Sequence, residues 1–218
     1  MTSDEIVVSQ LLEESGAIIT GSHVIMTSGR HTRVYINVKL VLKSDRALHI
    51  FAGMIAREYA DAPIDVVTGP ETGGTKLAIA VARELSILKG REILGIPAKK
   101  HPSELKHFYF EDPSQVEGKN VLVVEDVLST GESVANTVAL VKECKGYVFA
   151  VIAVVNRGGV DAERLQAPSL TCLLELPTES WTWEECREYG PCKEGVPINT
   201  SVGHGAAFLK EQEAQASV

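Results

Sequence analysis

The stretch Val121-Leu122-Val123-Val124-Glu125-Asp126-Val127-Leu128-Ser129-Thr130-Gly131-Glu132-Ser133 decides the fold. Its first four residues are an unbroken apolar, β-branched run, which predicts a strand covered on both faces, as in a parallel sheet. Two acids stand at the carboxyl end of that strand. Ser129, Thr130 and Gly131 then form a short loop, and a helix pattern runs from Glu132 to Cys144. Hydroxyls, backbone N–H groups and a helix N-terminus converge on one point, which is an anion site suited to a phosphate. Gly131 lets the backbone come close to the anion. The paired acids Glu125 and Asp126 would repel a phosphate, so they suit other work: holding ribose hydroxyls or a hydrated Mg2+. The competing reading is a plain strand end before an ordinary capped helix.

The same alternation extends in both directions. Upstream, Asp65–Thr68 and Ile93–Pro97 read as strands, with Gly73–Gly74 as a break and Lys76–Leu85 as a helix. Downstream, Tyr147–Val155 reads as a long strand and Leu170–Leu176 as a last one. Strands alternating with helices imply a parallel twisted sheet flanked by helices, an α/β fold. Ligands on such sheets bind beyond the carboxyl ends of the strands, where each motif falls.

Further out, Asp4–Ser15 has the apolar spacing of a helix. His23–Met26 and Val34–Leu42 read as strands joined by a polar turn, Thr27–Arg33. Ser44 caps a helix that buries Leu48, Phe51, Ile55 and Tyr59. Ala98–Lys119 reads as polar and irregular, Trp181–Tyr189 as a short helix, and Lys210–Val218 as a frayed end. This divides the chain into 1–42, an N-terminal helix and hood, 43–167, the core, and 168–218, a C-terminal extension.

Composition restricts the function classes. The 218 residues carry a net charge of −8, a poor basis for broad nucleic-acid binding. With 44% hydrophobic and 23% charged residues the chain is ordinary for a globular protein. No apolar run approaches the ~20 residues of a membrane span, and the N-terminus lacks a signal-peptide pattern. The expectation is a cytoplasmic protein with no membrane and no nucleic acid among its partners. Its four cysteines, Cys144, Cys172, Cys186 and Cys192, are then reduced thiols, the first two in the core. Cys186, Cys192 and His204 offer three ligands for a structural zinc, with no clean fourth. The alternative is a reduced Cys pair in a packed extension.

The decisive stretch resembles the PRPP signature of the type I phosphoribosyltransferases, where PRPP is 5-phosphoribosyl 1-diphosphate. Four further segments, in order, resemble the orotate phosphoribosyltransferases. They are Ser28-Gly29-Arg30-His31-Thr32-Arg33-Val34-Tyr35-Ile36-Asn37, Gly69-Pro70-Glu71-Thr72-Gly73-Gly74, the basic segment Lys99-Lys100-His101 to Lys106-His107, and Val154-Val155-Asn156-Arg157-Gly158-Gly159. The resemblance covers roughly residues 5–160. It implies transfer of a phosphoribosyl group from PRPP to orotate, giving orotidine 5'-monophosphate and pyrophosphate, with Mg2+ and in a homodimer.

By the same resemblance, Asp126, Glu125, Lys100, Lys106 and His107 are catalytic. Lys99, Lys100, Glu125, Asp126, Val127, Leu128, Ser129, Thr130, Gly131, Glu132 and Ser133 hold PRPP, with Glu71, Thr72, Gly73 and Gly74 at its diphosphate. Arg157, Ser129, Tyr35 and Ile36 hold the base. Mg2+ comes mainly through PRPP, with no protein ligands assigned. The pattern departs where bacterial family members carry Lys, here Gly73, and in the spacing of the basic segment. The alternatives are a transferase for another base, or a non-catalytic PRPP or nucleotide sensor.

Overall fold

The computed structural model describes residues 2–26, 28–101, 103 and 107–216. Its central strand, β8, spans Asn120–Leu128 and is buried almost throughout. The preceding elements are α1 (Ser3–Glu14), β1 (Ile18–Ile19), β2 (Val24–Ile25), β3 (His31–Thr32), β4 (Tyr35–Ile36), α2 (Val38–Val41), α3 (Asp45–Glu58), β5 (Val66–Pro70), α4 (Gly73–Lys89), β6 (Leu94–Lys100) and β7 (Phe108–Tyr109). After β8 come α5 (Glu132–Glu143), β9 (Tyr147–Asn156), β10 (Leu170–Glu175), β11 (Ser180–Trp181), α6 (Trp183–Tyr189) and α7 (Gly205–Ala216).

Contacts divide the chain into two units. One is Met1–Leu12 with Val38–Pro177, the other Glu13–Asn37 with Thr178–Val218. These boundaries differ from the three segments drawn from the sequence. The first unit is built on a six-stranded sheet of order β10-β9-β8-β5-β6-β7. Every neighbouring pair is parallel except β6 with β7. Val121 and Val123 share a buried cluster with Val134, Val138 and Val141 of α5. Strand alternation sends Leu122 and Val124 to the opposite face, where α4 packs on β5, β6 and β8. The crossover from β5 leads outward to β6, whereas β8 returns to the other side of β5. The order therefore reverses between β5 and β8, and a crevice for ligands lies beyond the carboxyl ends of these two strands.

Several local expectations change. Val34–Leu42 is not one strand: only Tyr35–Ile36 pairs, and Val38–Val41 is a helix. Val38, Val41 and Leu42 are buried while Leu40 is exposed, a one-sided burial that β-branched residues disguise as a strand. Thr27–Arg33 holds β3, paired with β2 and with the distant β11. Gly73–Gly74 opens α4 rather than breaking the chain before it. The irregular Ala98–Lys119 contains the end of β6 and its hairpin partner β7. Lys210–Ala216 lies in α7 rather than being frayed. Cys144 and Cys172 are half-buried at the edge of the core cluster.

The helix at Ser44 forms as expected. The Ala47 amide donates to Ser44 Oγ at 3.4 Å, and Phe51 and Ile55 are fully buried. In the second unit β1 pairs with β4, and β2, β3 and β11 form a three-stranded sheet. Thr182 and Glu185 make a capping box at the start of α6.

Burial on both faces sets the expected cost of altering β8. Leu122→Ala should lower the unfolding free energy by about 2–5 kcal/mol. Ile87→Ala, on a side chain that is 66% exposed, should stay within about 0.5 kcal/mol. Urea unfolding monitored by circular dichroism checks both.

Candidate active site

Three glycines bring the end of β5 against the end of β8. A Cβ on Gly69 would lie 2.5 Å from Val124 O, and one on Gly74 would lie 2.9 Å from the same oxygen. A Cβ on Gly73 would lie 2.1 Å from Asp126 Oδ2. At Gly69 and Gly74 the clash is with main chain, so no side chain fits there while the two strand ends stay together; at Gly73 it is with the Asp126 side chain. The turn Gly69–Gly74 therefore packs on Val124 and Asp126, and the Asp126 carboxylate occupies the space a residue 73 side chain would need.

The acids are held in place. The Asp126 amide donates to Glu125 Oε1 at 3.0 Å and the Val127 amide to Asp126 Oδ1 at 2.8 Å. Both residues are buried, at 7% and 9% exposure. The strand runs on through Leu128, so the acids are strand residues near its carboxyl end rather than residues after it. Leu128 puts its side chain into the core cluster. Any contact it makes with a ligand is through the main chain.

Beyond Leu128 the loop carries half-buried Ser129 and Thr130 and then Gly131, whose φ of 77° is left-handed. The Glu132 amide donates to Thr130 Oγ1 at 3.4 Å. The N-cap residues of α5 and α4, Gly131 and Thr72, make no side-chain cap hydrogen bond, and a helix N-terminus suits an anion. Glu132 and Ser133 are exposed on the first turn of α5.

The end of β9 is locked to the same loop. The Arg157 amide donates to Leu128 O at 3.0 Å, and the Gly158 amide to the same oxygen at 3.2 Å. A Cβ on Gly158 would stand 1.6 Å from Ser129 O. Asn156 fixes the following turn, donating to Val160 O at 2.9 Å and accepting from Val160 N at 3.1 Å. Arg157 itself is 5% exposed. The structure thus joins Glu125, Asp126, Ser129–Ser133, Glu71–Gly74 and Arg157 at adjacent strand ends.

The basic segment is tied in at its root. Glu71 Oε2 accepts from the Lys100 amide at 2.9 Å, and the His101 amide donates to His107 O at 2.8 Å. Lys99 forms an ion pair with Glu111, whose hydrogen bond holds its ammonium above the usual lysine range. Lys100 is exposed. His107 lines a cleft with Glu132 and Asn136 of α5. Lys106 lies outside the described residues. Tyr35 and Ile36 belong to the second unit, where Ile36 is 5% exposed and part of its interior.

Sequence reasoning passed over two lysines. Lys43 and Lys76 line a cleft together with Leu42, Thr72 and Gly73. Lys76 follows Gly73 by three residues on α4, and that spacing puts both on one side of a helix. Lys43 carried no such signal, because it falls between the strand read to Leu42 and the helix capped by Ser44.

In the second unit, His204 is not grouped with the two cysteines as the tail had suggested. Cys186 and Cys192 meet His23 and His31 instead. Burial, and then the nearby His23, hold the His31 imidazole down at about 4. Burial, and then a hydrogen bond with Cys186, push the Cys192 thiol up to about 12.

The model of the phosphoribosyl transferase domain family matches residues 38–189. The orotate phosphoribosyltransferase of Caldicellulosiruptor bescii is 35% identical over 192 residues, which cover 87% of this chain and 92% of that protein. That of Thermotoga maritima is 29% identical over 198 residues, covering 91% and 98%. Among solved structures, the orotate phosphoribosyltransferase of Mycobacterium tuberculosis in complex with PRPP superposes with a TM-score of 0.60. It is 26% identical, and the match covers 79% of this chain and 96% of that one.

The packing of Gly73 on Asp126 makes a testable demand. Gly73→Ala should lower the unfolding free energy by about 1–3 kcal/mol through overpacking. Asp126→Ala in the same chain should return part of that loss, because it removes the clashing carboxylate. A double-mutant cycle in urea measures the coupling.

Proposed function

The chain belongs to the phosphoribosyl transferase family and, within it, to the orotate phosphoribosyltransferases; from that premise we propose that it transfers the phosphoribosyl group of PRPP to orotate. The products are orotidine 5'-monophosphate and pyrophosphate, a step of pyrimidine nucleotide formation in the cytoplasm. The observation that carries this reading is the packing of the Gly69–Gly74 turn onto Val124 and Asp126 of β8. It sets two anion-binding helix starts on either side of two carboxylates, which matches a sugar with a phosphate at one end and a diphosphate at the other.

In this reading the Ser129–Ser133 loop takes the 5'-phosphate through its amides and hydroxyls. Glu125 and Asp126 accept hydrogen bonds from the ribose hydroxyls, held in register by the amides of Asp126 and Val127. The Gly73 and Gly74 amides meet the diphosphate. Arg157 faces the orotate carboxylate with a planar cation. A ring nitrogen of orotate attacks C1 of the ribose as the bond to pyrophosphate breaks, through an oxocarbenium-like state. Catalysis is then positioning together with stabilisation of the departing negative charge.

Charge on the leaving group is met by lysines. Where other members place Lys in the diphosphate turn, this chain has Gly73, and Asp126 Oδ2 fills that space. Lys76 and Lys43, beside Thr72 and Gly73, supply the missing positive charge. Lys100, Lys106 and His107 add to it from the basic segment, which in a homodimer serves the neighbouring site.

Mg2+ fits the residues present. Asp126 Oδ1 is taken by the Val127 amide, while Oδ2 faces the diphosphate turn. A carboxylate oxygen there suits a hard cation that keeps several waters. When bound, the ion supplies charge neutralisation on the diphosphate.

Orotate absorbance and pyrophosphate release, followed together in one assay with Mg2+ and PRPP, test the reading. Both should proceed in step with orotate and not with uracil or adenine; turnover only with another base would refute it. Asp126→Ala should lower kcat about a hundredfold or more and change PRPP affinity much less. Lys43→Ala and Lys76→Ala should each raise KM for PRPP several-fold, and together more than either alone; unchanged kinetics would remove them from the site.

A further inference from the structure

Four metal-ligating side chains outside the transfer site converge in the second unit. Three of them are almost wholly buried: His23 at 2%, His31 at 0% and Cys186 at 0% exposure. Cys192, half-buried, is the fourth. One ligand atom from each lies within 4.8 Å of all the others. Cys192 Sγ stands 3.7 Å from His23 Nε2 and 3.5 Å from His31 Nδ1. Cys186 Sγ stands 3.8 Å from His23 Nε2, and the two ring nitrogens are 2.7 Å apart.

These separations can be compared with a coordination tetrahedron. Zinc bonds of about 2.3 Å to sulfur and about 2.0 Å to nitrogen put its sulfur–nitrogen edges at about 3.5 Å and its nitrogen–nitrogen edge at about 3.3 Å. Three sulfur–nitrogen spacings, at 3.5, 3.7 and 3.8 Å, lie close to that edge, and the histidine pair must open by about 0.6 Å.

The surroundings match a metal site as well. His23 Nδ1 lies 2.8 Å from Val196 O. A carbonyl only accepts, so Nδ1 carries the proton and Nε2 presents its lone pair to the cluster. The Cys192 amide donates to Cys186 Sγ at 3.2 Å, as amides do beside a metal-bound thiolate. The chain turns back tightly around Cys186, where a Cβ on Gly190 would stand 2.9 Å from its sulfur. Two thiolates balance a divalent ion, so the filled site is neutral and tolerates burial. The two thiol protons leave to solvent as the ion binds.

We propose that His23, His31, Cys186 and Cys192 bind one zinc ion in a closed, structural Cys2His2 site. The ion ties the N-terminal segment Glu13–Asn37 to the C-terminal segment Thr178–Val218, the two stretches that make up this unit. The need is evident from the interior. The buried apolar side chains described there are those of Ala17, Val24, Ile25, Met26, Ile36, Cys186 and Pro191, and its strands are two residues long. A unit with so small a core commonly relies on a metal or a disulfide. With all four positions taken by protein, the ion has no open position for chemistry.

Metal analysis of the full chain, purified without chelator, should find one zinc per chain. Exchange for Co2+ should give the intense visible bands and thiolate charge transfer of a tetrahedral site. Cys186→Ala with Cys192→Ala should abolish both, His204→Ala should keep both, and Cys192→His should keep the metal with weaker charge transfer. Chelation should lower Tm of the wild type. The proposal is overturned by a well-folded wild-type chain that carries no zinc and shows no Co2+ bands, by a Cys186–Cys192 disulfide in the purified protein, or by metal that persists in the double alanine variant.

Discussion

The contact between Gly73 and the Asp126 carboxylate constrains the rest of the active unit. Asp126 sits where a Cβ at residue 73 would have to be, so a side chain on the turn after β5 and the carboxylate near the end of β8 compete for one volume. Gly69 and Gly74, both close to Val124 O, let the same two strand ends approach. This closeness fixes the point where the strand order reverses as the ligand crevice. It also brings the start of α4 against the buried Asp126, on the strand that leads into the loop before α5. Lys43 and Lys76 line a cleft beside this turn, together with Thr72 and Gly73.

The parallel sheet and its site motifs were legible in the sequence because they rest on short-range signals. The apolar run Val121–Val124, the acids after it and the hydroxyl-glycine loop sit within thirteen consecutive residues. Strand and helix periods alternate from Asp65 to Pro97 and again from Val121 to Val155. What was illegible depends on partners far away in the chain. His31–Thr32 looks like part of a polar turn, and becomes a strand because Ser180–Trp181 pairs with it. Val38–Val41 carries β-branched residues, yet its burial follows a helical face. Lys43 and Lys76 flank Gly73 only once α4 begins at that glycine.

The second unit makes the same point with its metal-ligating residues. Local spacing drew attention to Cys186, Cys192 and His204, because they share one end of the chain. The fold instead supplies His23 and His31, more than 150 residues away along the chain from the cysteines. His31 packs its ring near Trp183 and Phe208, so α6 and α7 enclose the cluster that joins both ends of the chain. An acidic protein with few buried apolar residues in this unit thus gains rigidity from coordination and aromatic contact rather than from a large core.

The central claim is that the turn at Gly73 and the loop at Gly131 form one site for a single phosphorylated sugar. Amide chemical shifts of isotope-labelled protein, recorded as PRPP is added with Mg2+, test it most directly. The account predicts that Gly73, Gly74, Thr130, Gly131 and Glu132 respond together at one saturating concentration, and that ribose 5-phosphate moves only the Thr130–Glu132 set. Responses that saturate independently, or that leave the Gly73–Gly74 amides unmoved by PRPP, would contradict it.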